Sequence, residues 1–130
     1  MFYFMKTKTI NFLISIKNAS KVKQEFFEVN YNSKFINILS FLYKKGFIQS
    51  YYCNVETEKL KVFLRYPFEK NILENLKIMS FPSKKMFLKF KNICRLSPKL
   101  KFFVFSTNRG FKTYMECKKL QIGGELCFIC

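Results

Sequence analysis

Residues 101–130 read KFFVFSTNRG FKTYMECKKL QIGGELCFIC, and the order of signals in this stretch decides the architecture of the C-terminal half. Lys101 to Thr107 is rich in Phe, Val and Thr and predicts a strand, with Phe102-Phe103-Val104-Phe105 apolar on both faces. Asn108-Arg109-Gly110 predicts a tight turn, since Asn and Gly accept the backbone angles that turns demand. Thr113 and Glu116 stand at the S/T-x-x-E spacing of a capping box and predict a short helix running to Leu120. Gly123-Gly124 breaks that helix, and Glu125 to Ile129 predicts a closing strand.

Working outward, Leu76 to Ser80 predicts another strand and Phe81-Pro82-Ser83-Lys84 a turn. From Lys85 to Phe90, Lys85, Phe87 and Lys89 alternate with Met86, Leu88 and Phe90 at the period of a strand. Ser97-Pro98-Lys99 predicts a further turn. The N-terminal half has a different rhythm. Ile10, Leu13, Ile14 and Lys17 fall at helical spacing within Ile10–Ala19, and Phe26-Phe27-Glu28-Val29 suits a short strand. A second helix starts at Ser33 as N-cap, carries Phe35, Ile36, Leu39, Leu42 and Tyr43 on one stripe, and stops at Gly46. Ile38 and Phe41 lie off that stripe, which predicts a helix covered on more than one side. A hairpin follows: Phe47 to Val55, a turn at Glu56-Thr57-Glu58-Lys59, and a return over Leu60 to Tyr66 that Pro67 ends. The expected fold class is α+β, in two small α/β lobes. Residues 1–66 form a helix-helix-hairpin lobe and residues 67–130 a mainly β lobe with one short helix, with Pro67 to Lys70 as linker.

Charge points to the partner. The chain has 24 Lys+Arg against 8 acidic residues in 130, a formal net charge of +16. A compact body so charged repels itself unless a polyanion neutralises it. From Lys77 to Met115 there are basic side chains at Lys77, Lys84, Lys85, Lys89, Lys91, Arg95, Lys99, Lys101, Arg109 and Lys112, and no acid. These charges are interleaved with aromatics, which favours nucleic acid over an anionic membrane surface. Lys, Phe, Ile, Asn and Tyr dominate the chain, while Ala, Gly, Pro and Arg are scarce. The first group is spelled by AT-rich codons and the second by GC-rich ones, as in reduced organelle genomes.

Other chemistry is narrowed by what the sequence lacks. It contains no His and no Asp, which removes a Ser-His-Asp triad, a His general base and an Asp-held magnesium. No Gly-rich phosphate loop replaces them, so no enzyme is expected. No apolar run reaches the roughly 18 residues of a membrane-spanning helix. The opening Met1-Phe2-Tyr3-Phe4-Met5 resembles neither a signal h-region nor a transit peptide, which leads to the expectation that the chain is made where it works. Five cysteines, Cys53, Cys94, Cys117, Cys127 and Cys130, are odd in number and scattered, as reduced thiols are. Cys127 and Cys130 match C-x-x-C, but residues three apart on a strand face opposite sides, so no metal site is expected.

Within Ser106-Thr107-Asn108-Arg109-Gly110, two hydroxyls, a carboxamide and a guanidinium meet at a strand-to-turn junction. Such groups donate to phosphates, read base edges and contact the ribose 2′-OH. This segment, with Gly123-Gly124-Glu125-Leu126, resembles the signature of the bacterial-type family of small-subunit ribosomal protein eight: Ser-Thr-x-Lys/Arg-Gly, then Thr, then Gly-Gly-Glu before a final strand. Ile16-Lys17-Asn18 resembles the family's Ile-Arg-Asn. Ser33-Lys34 with Leu42 to Ile48 resembles its Ser-Lys entry and Leu-Lys-x-x-Gly-Phe-Ile helix end. Leu76 to Phe87 resembles its Ile-x-x-x-Ser-x-Pro-Gly-x-Arg-x-Tyr stretch. Order and spacing hold from about Asn11 to Ile129.

The resemblance implies a C-terminal lobe that grips the central domain of small-subunit ribosomal RNA and supports its folding and assembly. Ser106, Thr107 and Asn108 are implied to sit at the RNA minor groove and backbone, Glu125 to order that loop, and Lys17 and Asn18 to touch RNA from the N-terminal lobe. Arg109, Gly110 and Lys112, the group Pro82, Ser83, Lys84, Lys85 and Phe87, and Lys34 complete the candidate RNA-binding set. Three departures stand out: Pro82-Ser83 replaces Pro-Gly, Phe87 replaces Tyr and loses its hydroxyl, and Pro98-Lys99-Leu100-Lys101 replaces a Gly-rich approach. The implied partners are this RNA and neighbouring small-subunit ribosomal proteins, without cofactor, metal, small-molecule substrate, membrane or self-association. The implied location is a mitochondrial ribosome, with a plastid ribosome as alternative. A free-standing RNA-binding regulator or RNA-processing accessory is the rival reading; a peripheral membrane protein and a Lys- or Glu-dependent enzyme stand further off.

If about eight phosphates are neutralised, the logarithm of RNA affinity falls against the logarithm of salt concentration with a slope of about −6 to −7. Filter binding across a salt series measures it, and a slope near zero contradicts the electrostatic reading.

Overall fold

The structure, a computed structural model, describes residues 7–69, 71–95 and 102–130. Two compact units emerge, residues 11–75 and residues 76–130 with the segment up to Ile10.

In the first unit, helix α1 (Thr7–Lys21) buries Phe12, Leu13, Ile16 and Ala19, while Ile14 is 40 % exposed. The expected face of Ile10, Leu13, Ile14 and Lys17 is thus rotated, with Phe12 and Ile16 replacing Ile14 and Lys17 inside. Phe12 stacks on Phe35 of the next helix, their ring centroids 4.3 Å apart. Strand β1 (Phe26–Asn30) precedes helix α2 (Ser33–Lys44), whose N-cap is Asn32 and not Ser33. The Asn32 carboxamide oxygen accepts the Lys34 N–H at 3.0 Å, satisfying one of the first-turn donors that a helix leaves open. Phe35, Ile38, Leu39, Phe41 and Leu42 of α2 are buried. Ile36 is half-buried and Tyr43 exposed, so the two residues read as off-stripe are core and Tyr43 is not. The stop at Gly46 is as read: with φ at 77°, it lets the Phe47 N–H reach the Leu42 carbonyl at 2.9 Å and its own N–H reach Tyr43 at 3.1 Å.

Strands β2 (Ile48–Asn54) and β3 (Lys59–Leu64) form the expected hairpin, and the sheet order is β1-β3-β2, all antiparallel. Leu60, Val62 and Leu64 point inward. Pro67–Glu69 and Ile72–Asn75 form two short 3-10 turns, and the compact unit extends to Asn75. The Asn71 side chain explains why: its amide donates to the Arg65 carbonyl at 2.6 Å, its oxygen accepts the Leu73 N–H at 2.8 Å, and Leu73 is fully buried.

The second unit is built on strand β8 (Gly124–Ile129), in which Gly124 to Phe128 are all buried. On one side β8 pairs with β6 (Phe103–Thr107), which continues into β7 (Gly110–Thr113). On the other it takes the two short strands β4 (Lys77–Ile78) and β5 (Phe87–Leu88) in succession. The strand expected over Lys85 to Phe90 therefore contracts to two residues, and a helix unread in the sequence follows, α3 (Phe90–Cys94). Tertiary packing overrides the alternation there, because a helical turn brings Ile93 into the core with Phe105, Tyr114, Cys117 and Leu126. In β6 Val104 and Phe105 are buried, Phe103 is half-buried, and Phe102 is 45 % exposed, so the expected two-sided burial holds only for the middle of the strand. The turn read at Ser97-Pro98-Lys99 lies outside the described residues. Helix α4 (Tyr114–Leu120) carries the complete Thr113/Glu116 capping box but stops at Gln121 in the left-handed region (φ 56°), ahead of the glycine pair. No helix among the described residues is long and apolar enough to cross a membrane.

What the glycines do instead is permit contact. A Cβ on Gly124 would lie 2.5 Å from the Ser106 carbonyl oxygen, and one on Gly123 would lie 2.6 Å from that of Leu88. Gly124→Ala should therefore lower stability by about 1–3 kcal/mol, as overpacking against backbone does. Urea unfolding should show a lower midpoint with an unchanged slope.

Candidate nucleic-acid interface

The hairpin β6–β7 turns through two residues, Asn108 and Arg109, closed by the register pair Thr107 and Gly110. Gly110 has φ at 94°, where a side chain would strain the backbone. The Thr107 hydroxyl latches this turn from inside: it donates to the Gly110 carbonyl at 2.8 Å and accepts the Arg109 N–H at 3.1 Å. Thr107 is 1 % exposed and Ser106 fully buried, whereas Asn108, Arg109 and Gly110 are exposed. The sequence motif thus divides by role. Thr107 shapes the turn, Ser106 is buried beside it, and the tip presents a carboxamide and a guanidinium outward.

Beside the tip lies an open groove of about 580 Å³, lined by Asn108 and Arg109 on one wall, Phe87, Leu88, Lys89 and Phe90 on the other, and Ile122, Gly123 and Gly124 below. The floor is nearly all backbone. Gly124 presses on Ser106 and Thr107, and Gly123 on Leu88 and Lys89, so the glycine pair joins both walls with no side chain between them. Phe87 is half exposed and places an aromatic ring at the rim of the groove.

Glu125 is fully buried and supports the second wall. Its carboxylate accepts the Ser80 hydroxyl, and the Ser80 oxygen accepts the Met86 N–H at 3.2 Å. The Met86 carbonyl accepts the Leu126 N–H at 2.8 Å, closing a ring back to β8. Although Glu125 is the register partner of Ser106, this bond is directed to the segment before β5 and not to the Ser106–Gly110 turn. Its second oxygen has no hydrogen-bond partner among the described residues. Between Ser80 and Met86, the Phe81–Lys84 turn is held by paired backbone hydrogen bonds of 3.0 and 3.1 Å and exposes Pro82, Ser83 and Lys84. Lys85 is exposed next to it. Lys112 lies elsewhere in the local geometry, with its ammonium 3.9 Å from Glu116 at the first turn of α4. The N-terminal candidates belong to the other unit: Lys17 half-buried and Asn18 exposed on α1, Lys34 exposed at the start of α2.

Lys89 and Arg109 line a groove with no acid in its lining, so the local potential is positive. Three thiols of this unit are held in their protonated form. Burial pushes Cys117 up to about 11 and Cys130 up to about 12, and holds Cys127 well above the usual thiol range. All three stay protonated at neutral pH, the inert form for metal binding or attack. Among the described residues no group of three potential metal ligands comes together.

Sequence reasoning overlooked Leu88, Lys89, Phe90 and Ile122 as groove residues, and Ser80 as the partner of Glu125. The available signals were the glycine pair at a strand entry, which marks close backbone approach, and a lone Ser after an apolar strand.

The profile of the family described as Ribosomal protein S8 matches residues 8–130. Among curated proteins, the chain is 28 % identical over 116 residues to the small ribosomal subunit protein uS8 of Dictyoglomus thermophilum, covering 88 % of each chain. It is 29 % identical over 118 residues to that of Borrelia garinii subsp. bavariensis, covering 88 % of this chain and 89 % of the relative. It is 28 % identical over 120 residues to that of Clostridium novyi, covering 90 % and 92 %.

The latch can be tested without any ligand. Thr107→Val keeps the side-chain shape and removes both hydrogen bonds, so stability should fall by about 1–2 kcal/mol. The Arg109 amide should exchange its hydrogen faster by NMR. Unchanged exchange would show that the hydroxyl does not hold the turn.

Proposed function

Because the chain belongs to the ribosomal protein S8 family, we propose that it is built into the small ribosomal subunit by binding the central domain of that subunit's RNA. It is a structural, non-enzymatic component of the ribosome. The single observation that carries the finer reading is the groove between Asn108-Arg109 and Phe87–Phe90, floored by Gly123-Gly124. It offers a guanidinium, a carboxamide, an exposed ring and backbone within one concavity, a combination suited to the edge and face of an unstacked base and to the adjoining phosphates.

In this reading the roles separate. Arg109 and Lys89 attract the phosphate backbone, Asn108 reads a base edge or ribose hydroxyl, and Phe87 stacks. Thr107 shapes the turn, while Glu125 and Ser80 hold the second wall; these act through position. Pro82, Ser83, Lys84 and Lys85 extend the contact along the same side, and Ser106, Gly110 and Lys112 support the hairpin that carries it. Lys17, Asn18 and Lys34 supply additional contacts from the N-terminal unit. The protein works as one copy per subunit among neighbouring small-subunit proteins. The AT-biased composition supports an organellar ribosome, mitochondrial in the first instance.

Asn108→Ala and Arg109→Ala should each weaken binding to a central-domain RNA fragment by about 5- to 100-fold, the range for loss of one specific contact, while leaving unfolding midpoints near wild type. Hydroxyl-radical footprinting of the full chain on small-subunit RNA is the companion measurement. A footprint confined to another domain of that RNA would overturn the assignment.

A further inference from the structure

The outer face of the β1-β3-β2 sheet carries a feature that the groove does not use. Phe26 on β1, Phe63 on the central strand β3 and Tyr52 on β2 all point outward. Phe26 and Tyr52 are 39 % and 49 % exposed, and Phe63 is half-buried between them. Phe26 sits directly across from Phe63 in register, with ring centroids 5.8 Å apart; Tyr52 stacks against Phe63 at 6.2 Å with only 26° between the planes. The rings thus cross the sheet from one edge strand to the other as a continuous row. The inner face of the same strands packs Leu60, Val62 and Leu64, so the sheet has its core without this row.

Lys61 stands among the rings. Its ammonium lies 4.0 Å from the Phe26 centroid and 5.4 Å from that of Phe63. Glu28 is its cross-strand partner in register, yet among the described residues no carboxylate pairs with the ammonium. A cation held on aromatic faces keeps its charge available. Lys59 adds a second positive charge on the same face, and Asn30 and Asn54, both paired with Lys59 in register, flank it with amides.

We propose that this face is a second RNA contact, a stacking platform for two or three unpaired bases, distinct from the groove of the C-terminal unit. An antiparallel sheet with exposed aromatics on adjacent strands and a lysine between them stacks single-stranded bases while the cation takes a phosphate. An RNA strand fits better than a protein surface because, among the outward residues of the three strands, Lys59 and Lys61 outnumber the one acid, Glu28, and because stacked bases leave their polar edges free to meet Asn30 and Asn54. The abundance of Phe in this chain accounts for rings being present. It does not account for three of them meeting in register around a lysine on an uncovered face. The inference requires that the chain bind RNA, but not that the groove be the site.

The test uses the full chain and an eight-nucleotide adenosine RNA carrying one 2-aminopurine, whose fluorescence is quenched on stacking. Wild type should bind and quench it. Phe63→Leu, which keeps apolar bulk and removes the ring, should weaken binding about tenfold, within the range for one lost base–ring stack, and abolish the quench. Should Phe63→Leu disturb folding by circular dichroism, Tyr52→Leu on the edge strand replaces it. Arg109→Ala separates the two sites: it should weaken the central-domain fragment yet retain the octamer's quench. Affinity and quench unchanged in both Leu variants overturn the platform and leave the groove reading intact. The platform is equally overturned if those variants bind the octamer normally but are missing from assembled small subunits, which makes the face a protein contact.

Discussion

The C-terminal unit depends on one steric constraint, the absence of side chains at Gly123 and Gly124. Strand β8 is the centre of the sheet, and at its first residue the backbone of β6 comes so close that no Cβ fits. One residue earlier the same is true of the end of β5. Interiors pack densely enough that such contacts cannot be relaxed without moving a strand. Moving either strand would shift a wall of the groove, since Asn108 follows β6 and Phe87 lies within β5. The glycine pair therefore positions the candidate RNA site while contributing no functional group of its own.

Around that constraint, polar groups divide into those that hold the site and those that face outward. Thr107 closes its turn with two internal hydrogen bonds. Glu125 and Ser80 fix the segment leading into β5. Burying Glu125 is costly, and the Ser80 hydroxyl offsets that cost at one of its two oxygens. Charge is partitioned as well. Six of the eight glutamates, Glu25, Glu28, Glu56, Glu58, Glu69 and Glu74, fall in residues 11–75, so the excess of +16 lies mainly on the other unit. Positive charge is therefore concentrated on the unit that carries the groove.

Local signals were read well where the deciding physics is local. The Thr113/Glu116 box, the Gly46 stop and the turn at Phe81–Lys84 each involve neighbours within a few residues and form as read, while the hairpin turn expected at Glu56–Lys59 lies one residue earlier, at Val55–Glu58. Misreadings fell where a distant partner decides. Alternation over Lys85–Phe90 looked like a strand, but Ile93 had to reach the core under α4, so the chain coils into α3. Tyr43 suited an apolar stripe but is exposed, whereas the additional cover expected over Ile38 and Phe41 is present, since both are buried with Leu39 and Leu42. The burial of Ser106 and Thr107 against Gly124 is likewise set by a partner distant in sequence.

The sequence by itself determined the α+β class, the order of nearly all the elements, the strong positive charge and the family, because composition, periodicity and motif spacing are properties of the chain before it folds. Tertiary structure alone decided which of the motif's residues face outward, that Glu125 braces one wall through Ser80, and that Phe26, Phe63, Tyr52 and Lys61 form one surface. Each of these depends on side chains brought together from distant strands, and strand register is set by burial over the whole sheet rather than by any one segment.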